Sequence, residues 1–182
     1  STSNSSYSGE VVIPENIIAG NTFNVTSIGT AFQNCSSLTS VTIPNSVTSI
    51  GEYAFSGCGG LTTISIPNTV VSIGKYAFEN CNNLDYNTYN NAYYLGNEEN
   101  PYVFLLSAKK TTITECTIPN GCKFINESAF SGCNELTTVT IPNSVVSIGD
   151  FAFSGCNELT TVNIPNSVVS IGDFAFSGCC MF

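Results

Sequence analysis

Ile141 to Asn163 reads IPNSVVSIGDFAFSGCNELTTVN, and the reading of this stretch decides the fold. Its apolar marks are Ile141, Val145, Ile148, Ala152, Phe153, Cys156, Leu159 and Val162, followed by Ile164 of the next copy. Leu159-x-x-Val162-x-Ile164 alternates as a strand with one buried face does. Pro165 follows at once, where it ends a ladder without occupying its interior. The Val-Val-Ser-Ile run after Asn-Ser predicts a second extended segment. Gly172 is then expected to permit a bend into Asp173-Phe174-Ala175-Phe176, a single helical or 3₁₀ turn. Ser-Gly-Cys closes the coil.

Working outward, the same marks recur. Ile-Pro stands at 13, 43, 66, 118, 141 and 164, and Ala-Phe has its Phe at 32, 55, 78, 130, 153 and 176. Cysteines 35, 58, 81, 133, 156 and 179 keep the same step. Four of the five steps between those Phe are 23 residues and one is 52, two periods plus six. One copy is too small to bury its apolar face alone, so neighbours must stack into a repeat solenoid. Phe32, Phe55, Phe78, Phe130, Phe153 and Phe176, with Cys35, Cys58, Cys81, Cys133, Cys156 and Cys179, are its expected core.

The strand pattern L-x-x-V-x-I resembles that of leucine-rich repeats, and the whole unit IPxSVxSIGxxAFxxCxxLTxV resembles the BspA-like family of such repeats. The resemblance covers residues 9 to 179 and includes Tyr7 to Pro14 as an opening strand. It implies a leucine-rich-repeat-like, right-handed β-solenoid with short 3₁₀ or helical turns, one parallel sheet and one β-hairpin insertion. A single domain over 1–182 is expected, of about seven repeats. Within it lie an irregular first repeat at 9–42, a hairpin-containing repeat at 85–117 and a truncated last repeat at 164–182. In the first irregular stretch Ala19-Gly20-Asn21 reads as a hairpin turn. In the second, Ala92–Leu95 and Tyr102–Leu106 flank Gly-Asn-Glu-Glu-Asn-Pro, a strong hairpin signal. The sequence stops inside a repeat without a polar cap, so either more chain or self-association is expected to cover that end. The Asn that ordinary leucine-rich repeats place after the strand is here Ser46, Thr69, Gly121, Ser144 or Ser167. Hydroxyls are expected to cap the same backbone groups.

Composition narrows the function. Four Lys and no Arg stand against thirteen Asp and Glu, a net charge of −9, which disfavours nucleic acid and anionic membranes. The absence of His removes the usual general base and the commonest metal ligand. No run approaches the roughly 18 apolar residues of a bilayer-crossing segment, so no direct membrane insertion is expected. Nine cysteines lack a CxxC pair or His, and six fall in one column, so they read as buried free thiols rather than a zinc site. Adjacent Glu98 and Glu99 read as a solvated turn. No cofactor, no metal site and no catalytic residues are expected; the chain is not expected to be an enzyme.

The outward strand positions form two polar columns. One holds Ser40, Thr63, Glu115, Thr138 and Thr161; the other holds Thr42, Ser65, Thr117, Thr140 and Asn163. β-Branched hydroxyls make soluble strands, and so regular a face can also dock a partner through many modest contacts; both readings stand. A further column, Tyr53, Tyr76, Phe151 and Phe174, precedes each Ala-Phe, beside Glu52, Lys75, Glu127, Asp150 and Asp173. It reads as packing against the next repeat or as partner anchors. The resemblance implies an extracellular or cell-surface protein that mediates adhesion or protein recognition. Its partner would be a host matrix or cell-surface protein, or a glycan. The alternative is a structural spacer within a larger surface protein.

Overall fold

The structure, a computed structural model, describes residues 7–180, so the last two residues of the expected repeat at 164–182 lie outside the described residues. The chain divides into two units, Ser1–Asp85 and Tyr86–Phe182.

In the first unit the strands are β1 (Gly9–Val12), β2 (Asn16–Ala19), β3 (Asn21–Asn24), β4 (Ser27–Ile28), β5 (Leu38–Thr42), β6 (Ser49–Ile50), β7 (Thr63–Ser65) and β8 (Ser72–Ile73). β1, β5 and β7 form one sheet and β4, β6 and β8 another, while β2 and β3 make a separate hairpin. Both sheets are parallel; Val41 lies opposite Ile64 and Ile50 opposite Ile73, one 23-residue period apart, while the irregular first repeat sets Val11 opposite Val41 and Ile28 opposite Ile50. The Ala19-Gly20-Asn21 turn joins the hairpin as the sequence predicts, with Ile17 opposite Phe23.

The second unit contains β9 (Asn87–Tyr89), β10 (Ala92–Leu95), β11 (Phe104–Ala108), β12 (Glu115–Thr117), β13 (Phe124–Ile125), β14 (Thr138–Thr140), β15 (Ser147–Ile148), β16 (Thr161–Val162) and β17 (Ser170–Ile171). β12, β14 and β16 form a three-stranded sheet; the other six run in the order β17-β15-β13-β11-β10-β9. β10 pairs antiparallel with both β9 and β11, and β11 continues in parallel onto β13. The expected hairpin is therefore present, with its second strand displaced to Phe104–Ala108. The insertion joins the lateral sheet by taking the place of a Ser-Ile strand.

Two expectations are corrected. Each unit has two sheets with parallel pairing, not one, because the short Ser-Ile segments also pair between repeats. There is also a hairpin beyond the two that the sequence marks: β9–β10 joins β2–β3 and β10–β11. In β9 the exposed Asn-Thr-Tyr carries no alternating apolar signal that would have marked it as a strand.

The coil holding Ala-Phe differs from expectation as well. Among the described residues a 3₁₀ turn forms only at Thr30–Phe32. The other coils place Tyr53, Tyr76, Ser128, Phe151 and Phe174 at φ between 53° and 57°, in the left-handed region. The residue two after each Phe is left-handed too: Asn34, Gly57, Asn80, Gly132, Gly155 and Gly178. Gly and Asn are the residues that tolerate this conformation, which explains the recurring Gly-Cys and Asn-Cys. This shape turns main-chain amides towards the next repeat. Phe151, Phe153 and Gly155 donate to the carbonyls of Asp173, Ala175 and Ser177 at 3.0, 2.7 and 2.7 Å. Ser128, Phe130 and Gly132 do the same one repeat earlier, at 2.8, 2.7 and 2.8 Å. A left-handed Phe costs about 1–2 kcal/mol, and three hydrogen bonds of about 0.5–1.5 kcal/mol each offset it.

The glycine after Ser-Ile has a different duty from the bend assigned to it. Gly172 is not left-handed. A Cβ on Gly149 would lie 2.5 Å from the Glu127 nitrogen and 2.7 Å from the Asn126 carbonyl carbon. Here repeats approach too closely for any side chain. Asn126 occupies the equivalent position above the hairpin, and its amide donates to the Leu106 carbonyl at 3.2 Å.

The core lies between the strand and the coil. Phe55, Phe130 and Phe153 are fully buried, and Phe32 and Phe78 nearly so, while Phe176 is half-buried. Rings stack at centroid distances of 5.3 Å for Phe32–Phe55, 5.0 Å for Phe130–Phe153 and 5.1 Å for Phe153–Phe176. Interplanar angles of 12°, 6° and 4° follow from the translation between repeats. Phe153→Ala is expected to cost about 3–5 kcal/mol, from lost transfer energy and an unfilled cavity, and to loosen both neighbouring repeats. Thr138→Ala, on an exposed site, should cost about 0.5 kcal/mol or less. Urea melts of both variants check the contrast; equal midpoints would show the inward register to be wrong.

Candidate functional site: the outward faces of the parallel strands

In β5 and β7 the side chains alternate, Val41 and Ile64 inward and the hydroxyls outward. Ser40 stands opposite Thr63 and Thr42 opposite Ser65. Thr42, Thr63 and Ser65 are exposed and Ser40 is half-buried. β1 adds Glu10 beside Ser40 and Val12 beside Thr42, widening this face by two residues outside the predicted columns. Alternation could not have marked them, because Val11-Val12-Ile13 is a continuous apolar run; the signal was Ile13-Pro14, which sets the inward register of the opening strand.

The second unit carries a like face. Glu115, Thr138 and Thr161 form one row and Thr117 pairs with Thr140 in the other, all exposed. Asn163 is exposed but falls just beyond β16, so the second row ends at Thr140. Hydroxyls therefore recur about 4.8 Å apart across strands and about 6.6 Å apart along them. Each can donate and accept, and each face carries one carboxylate, Glu10 or Glu115. At the edge of β12 the amide of Asn91 donates to the Glu115 carbonyl at 2.8 Å, and Asn90 accepts the Thr117 N–H at 3.3 Å. These side chains occupy groups that an added strand would need.

Hydroxyls beside the strands hold the repeats together. Thr62 and Thr137 donate to the carbonyls of Thr39 and Thr114 at 3.0 and 2.9 Å. Thr69 and Ser167 donate to those of Val47 and Val145 at 2.8 and 2.7 Å. These last two stand where an Asn ladder would run.

All nine cysteines are free thiols. The column is more than small apolar filling. Cys58, Cys81, Cys156 and Cys179 donate to the carbonyls of Phe32, Phe55, Phe130 and Phe153 at 2.9, 3.1, 3.2 and 3.2 Å. Each bond spans 26 residues and ties a repeat to the one before it. Burial pushes Cys58 and Cys133 up to about 11 and Cys81 and Cys156 up to about 12. Tyr94 in the second unit is also pushed up by burial, and its hydroxyl has no hydrogen-bond partner. Among the described residues no group of three or more His, Cys, Asp or Glu is placed to hold a metal ion.

The aromatic column packs ring on ring yet stays partly open. Tyr53 stacks on Tyr76 at 5.1 Å and Phe151 on Phe174 at 5.3 Å. Tyr76, Phe151 and Phe174 remain 37 %, 43 % and 65 % exposed.

Parallel strands at a 23-residue step, a Phe column and a polar strand face define a leucine-rich-repeat protein. The chain belongs to the BspA type leucine-rich repeat family, which matches residues 5–99 and 101–182 in six copies. It is similar to a leucine-rich cell surface protein of Faecalibacterium prausnitzii, at 31 % identity and a TM-score of 0.50 over 95 % of this chain and 46 % of that one. It resembles a leucine-rich repeat protein of T. pallidum at 31 % identity and a TM-score of 0.52, covering 94 % of this chain and 76 % of that one. A Bacteroides ovatus leucine-rich repeat protein gives 31 % identity and 0.50, over 94 % and 49 %. The chain thus spans about half the length of the Faecalibacterium and Bacteroides proteins. A search of curated proteins finds no match. Among the described residues no helix is long and apolar enough to cross a membrane.

Raised thiol pKa values have a consequence for stability. Folded values lie above the unfolded value near 9, so the unfolded chain loses its protons first as pH rises. The thiol contribution is whole below about pH 9 and declines towards pH 12. Cys156→Ala should flatten the fall in urea midpoint between pH 8.5 and 10.5. Ellman's reagent at pH 8 should find few reactive thiols in the native protein and close to nine after denaturation without reductant. Release of only one or two would require disulfides.

Proposed function

We propose that this chain is an extracellular or cell-surface recognition module that binds a protein partner through the outward hydroxyl faces of its parallel strands, without catalysis. The observation that carries the proposal is the regular, almost uncharged Ser/Thr lattice present in both units. Groups such as Thr63, Thr138 and Thr140 are exposed and absent from the inter-repeat hydroxyl bonds that Thr62 and Thr137 make. A flat polar surface gains affinity by adding modest contacts, and shape rather than charge steering sets its specificity. That the similar Faecalibacterium protein is a cell surface protein supports the location. Adhesion to a host matrix or cell-surface protein is the role proposed, with a glycan as the other partner chemistry. The spacer reading draws on the larger size of two of its neighbours, which leaves room for other domains in such proteins.

Binding to purified matrix proteins and an immobilised glycan panel tests the proposal. Thr138→Lys and Thr140→Lys should weaken a detected interaction about tenfold or more while leaving the unfolding free energy from urea melts within about 0.5 kcal/mol of wild type. Unchanged binding by both variants would remove the sheet face from the interaction and favour a spacer.

A further inference from the structure

The insertion in the second unit departs from the repeat in composition as well as in shape. Five of the chain's eight tyrosines, at 86, 89, 93, 94 and 102, fall within it, so they are not inherited from the 23-residue period. Three of them pack together. Tyr94 is fully buried and meets Tyr102 edge-on at 5.5 Å, and Tyr102 meets Tyr89 at 5.5 Å. Tyr86 and Tyr93 are placed otherwise. Tyr93 stands opposite Thr88 of β9 and Ser107 of β11, on the face of the sheet away from the buried Ala92 and Tyr94. Its ring meets that of Tyr86 at 4.4 Å with a tilt of 44°. Tyr86 is 46 % exposed and Tyr93 half-buried, and β10 has a partner strand on each side.

A cross-strand aromatic pair steadies a hairpin, and that role needs neither open ring surface nor flanking hydroxyls. This pair has both: Thr88 and Ser107 share its face, and each hydroxyl can donate and accept. None of the four residues is charged. Two half-open rings offer roughly 200 Å², far less than the roughly 800 Å² that each partner gives to a stable protein interface. The area therefore suits a ligand the size of one sugar ring, and the lack of charge suits a neutral one. A pyranose with all its substituents equatorial carries only C–H bonds on its ring faces, which stack on tyrosine. Its hydroxyls lie around the rim, where Thr88, Ser107 and the phenol groups can meet them. We infer that Tyr86, Thr88, Tyr93 and Ser107 form a binding site for a glucose-configured sugar unit of a neutral glycan chain, separate from the hydroxyl faces of the parallel strands.

Cellotriose, titrated into the isotope-labelled full chain and followed by amide chemical shifts, tests the inference. Saturable shifts centred on Thr88, Tyr93 and Ser107 are expected, with a Kd on the order of 1 mM. Its isomer α-1,2-mannotriose, whose axial oxygens interrupt the ring faces, should bind about tenfold more weakly. Tyr86→Thr with Tyr93→Thr keeps β-forming residues in place and should reduce cellotriose affinity about tenfold. Tyr86→Phe with Tyr93→Phe keeps the rings and should stay within about threefold of wild type. Thr138→Lys, on the hydroxyl face, should leave cellotriose binding unchanged, which separates this site from the one proposed above. If the double Thr variant loses the fold, Tyr86→Thr alone carries the test, with about a threefold loss expected. Absence of saturable shifts, equal binding of mannotriose, or binding indifferent to the Thr variants would overturn the inference. Loss of a matrix protein by the Thr variants, with no cellotriose binding by wild type, would also overturn it and give the patch to a protein partner.

Discussion

Each repeat passes its main-chain hydrogen bonds to its neighbour along three lines: the Thr-x-Thr strands, the Ser-Ile strands and the Ala-Phe coil. Everything else in the two units follows from that transfer. A translation of one strand spacing brings each side chain over its copy, so Phe stacks on Phe and threonine stands beside threonine. The Ser-Ile line brings backbones close enough to exclude a Cβ at Gly149. The coil line asks more, because its amides face the next repeat only when two residues in five are left-handed. The thiol bonds to Phe carbonyls add a fourth, weaker tie inside the same coil.

How far this was legible in the sequence depends on whether a residue's side chain or its backbone carries the signal. Phe153, Cys156, Leu159 and Val162 are marked by their own apolarity, so core and strand could be read at once. The hairpin strand Ala92–Leu95 was legible for the same reason. The coil was not, because Phe151 in a left-handed conformation looks in the sequence like any aromatic ahead of a turn. The recurring Gly or Asn two residues after Phe was visible, and its cause, a positive φ in every copy, was the clue to use. The Ser-Ile ladder escaped as a sheet because two residues give no periodicity to detect. β9 escaped because Asn87-Thr88-Tyr89 pairs through its backbone while its side chains stay exposed.

The outward residues divide by what they already hold. Thr62, Thr137, Thr69 and Ser167 spend their hydroxyls on carbonyls of the preceding repeat, so their regularity is structural. Thr63, Thr138 and Thr140 sit one or more positions along and face outward. Their equal spacing is inherited from the core beneath them. A periodic scaffold thus makes a periodic surface, and the repeats differ outwardly where the period is broken. Glu115 in a Thr row, Asn90-Asn91 at the edge of β12, and Ser128 ahead of two phenylalanines are such places.

The claim that most needs a direct measurement is that the coil is a hydrogen-bonded ladder between repeats, not a surface loop. Amide hydrogen exchange followed residue by residue by NMR reports on it. The amides of Phe130, Gly132, Phe153 and Gly155 should exchange as slowly as that of Val139 in the central strand of the three-stranded sheet, because each donates to the next repeat at 2.7 to 2.8 Å. Exchange of these four at the rate of the exposed Glu98-Glu99 turn, with Val139 still protected, would contradict the account.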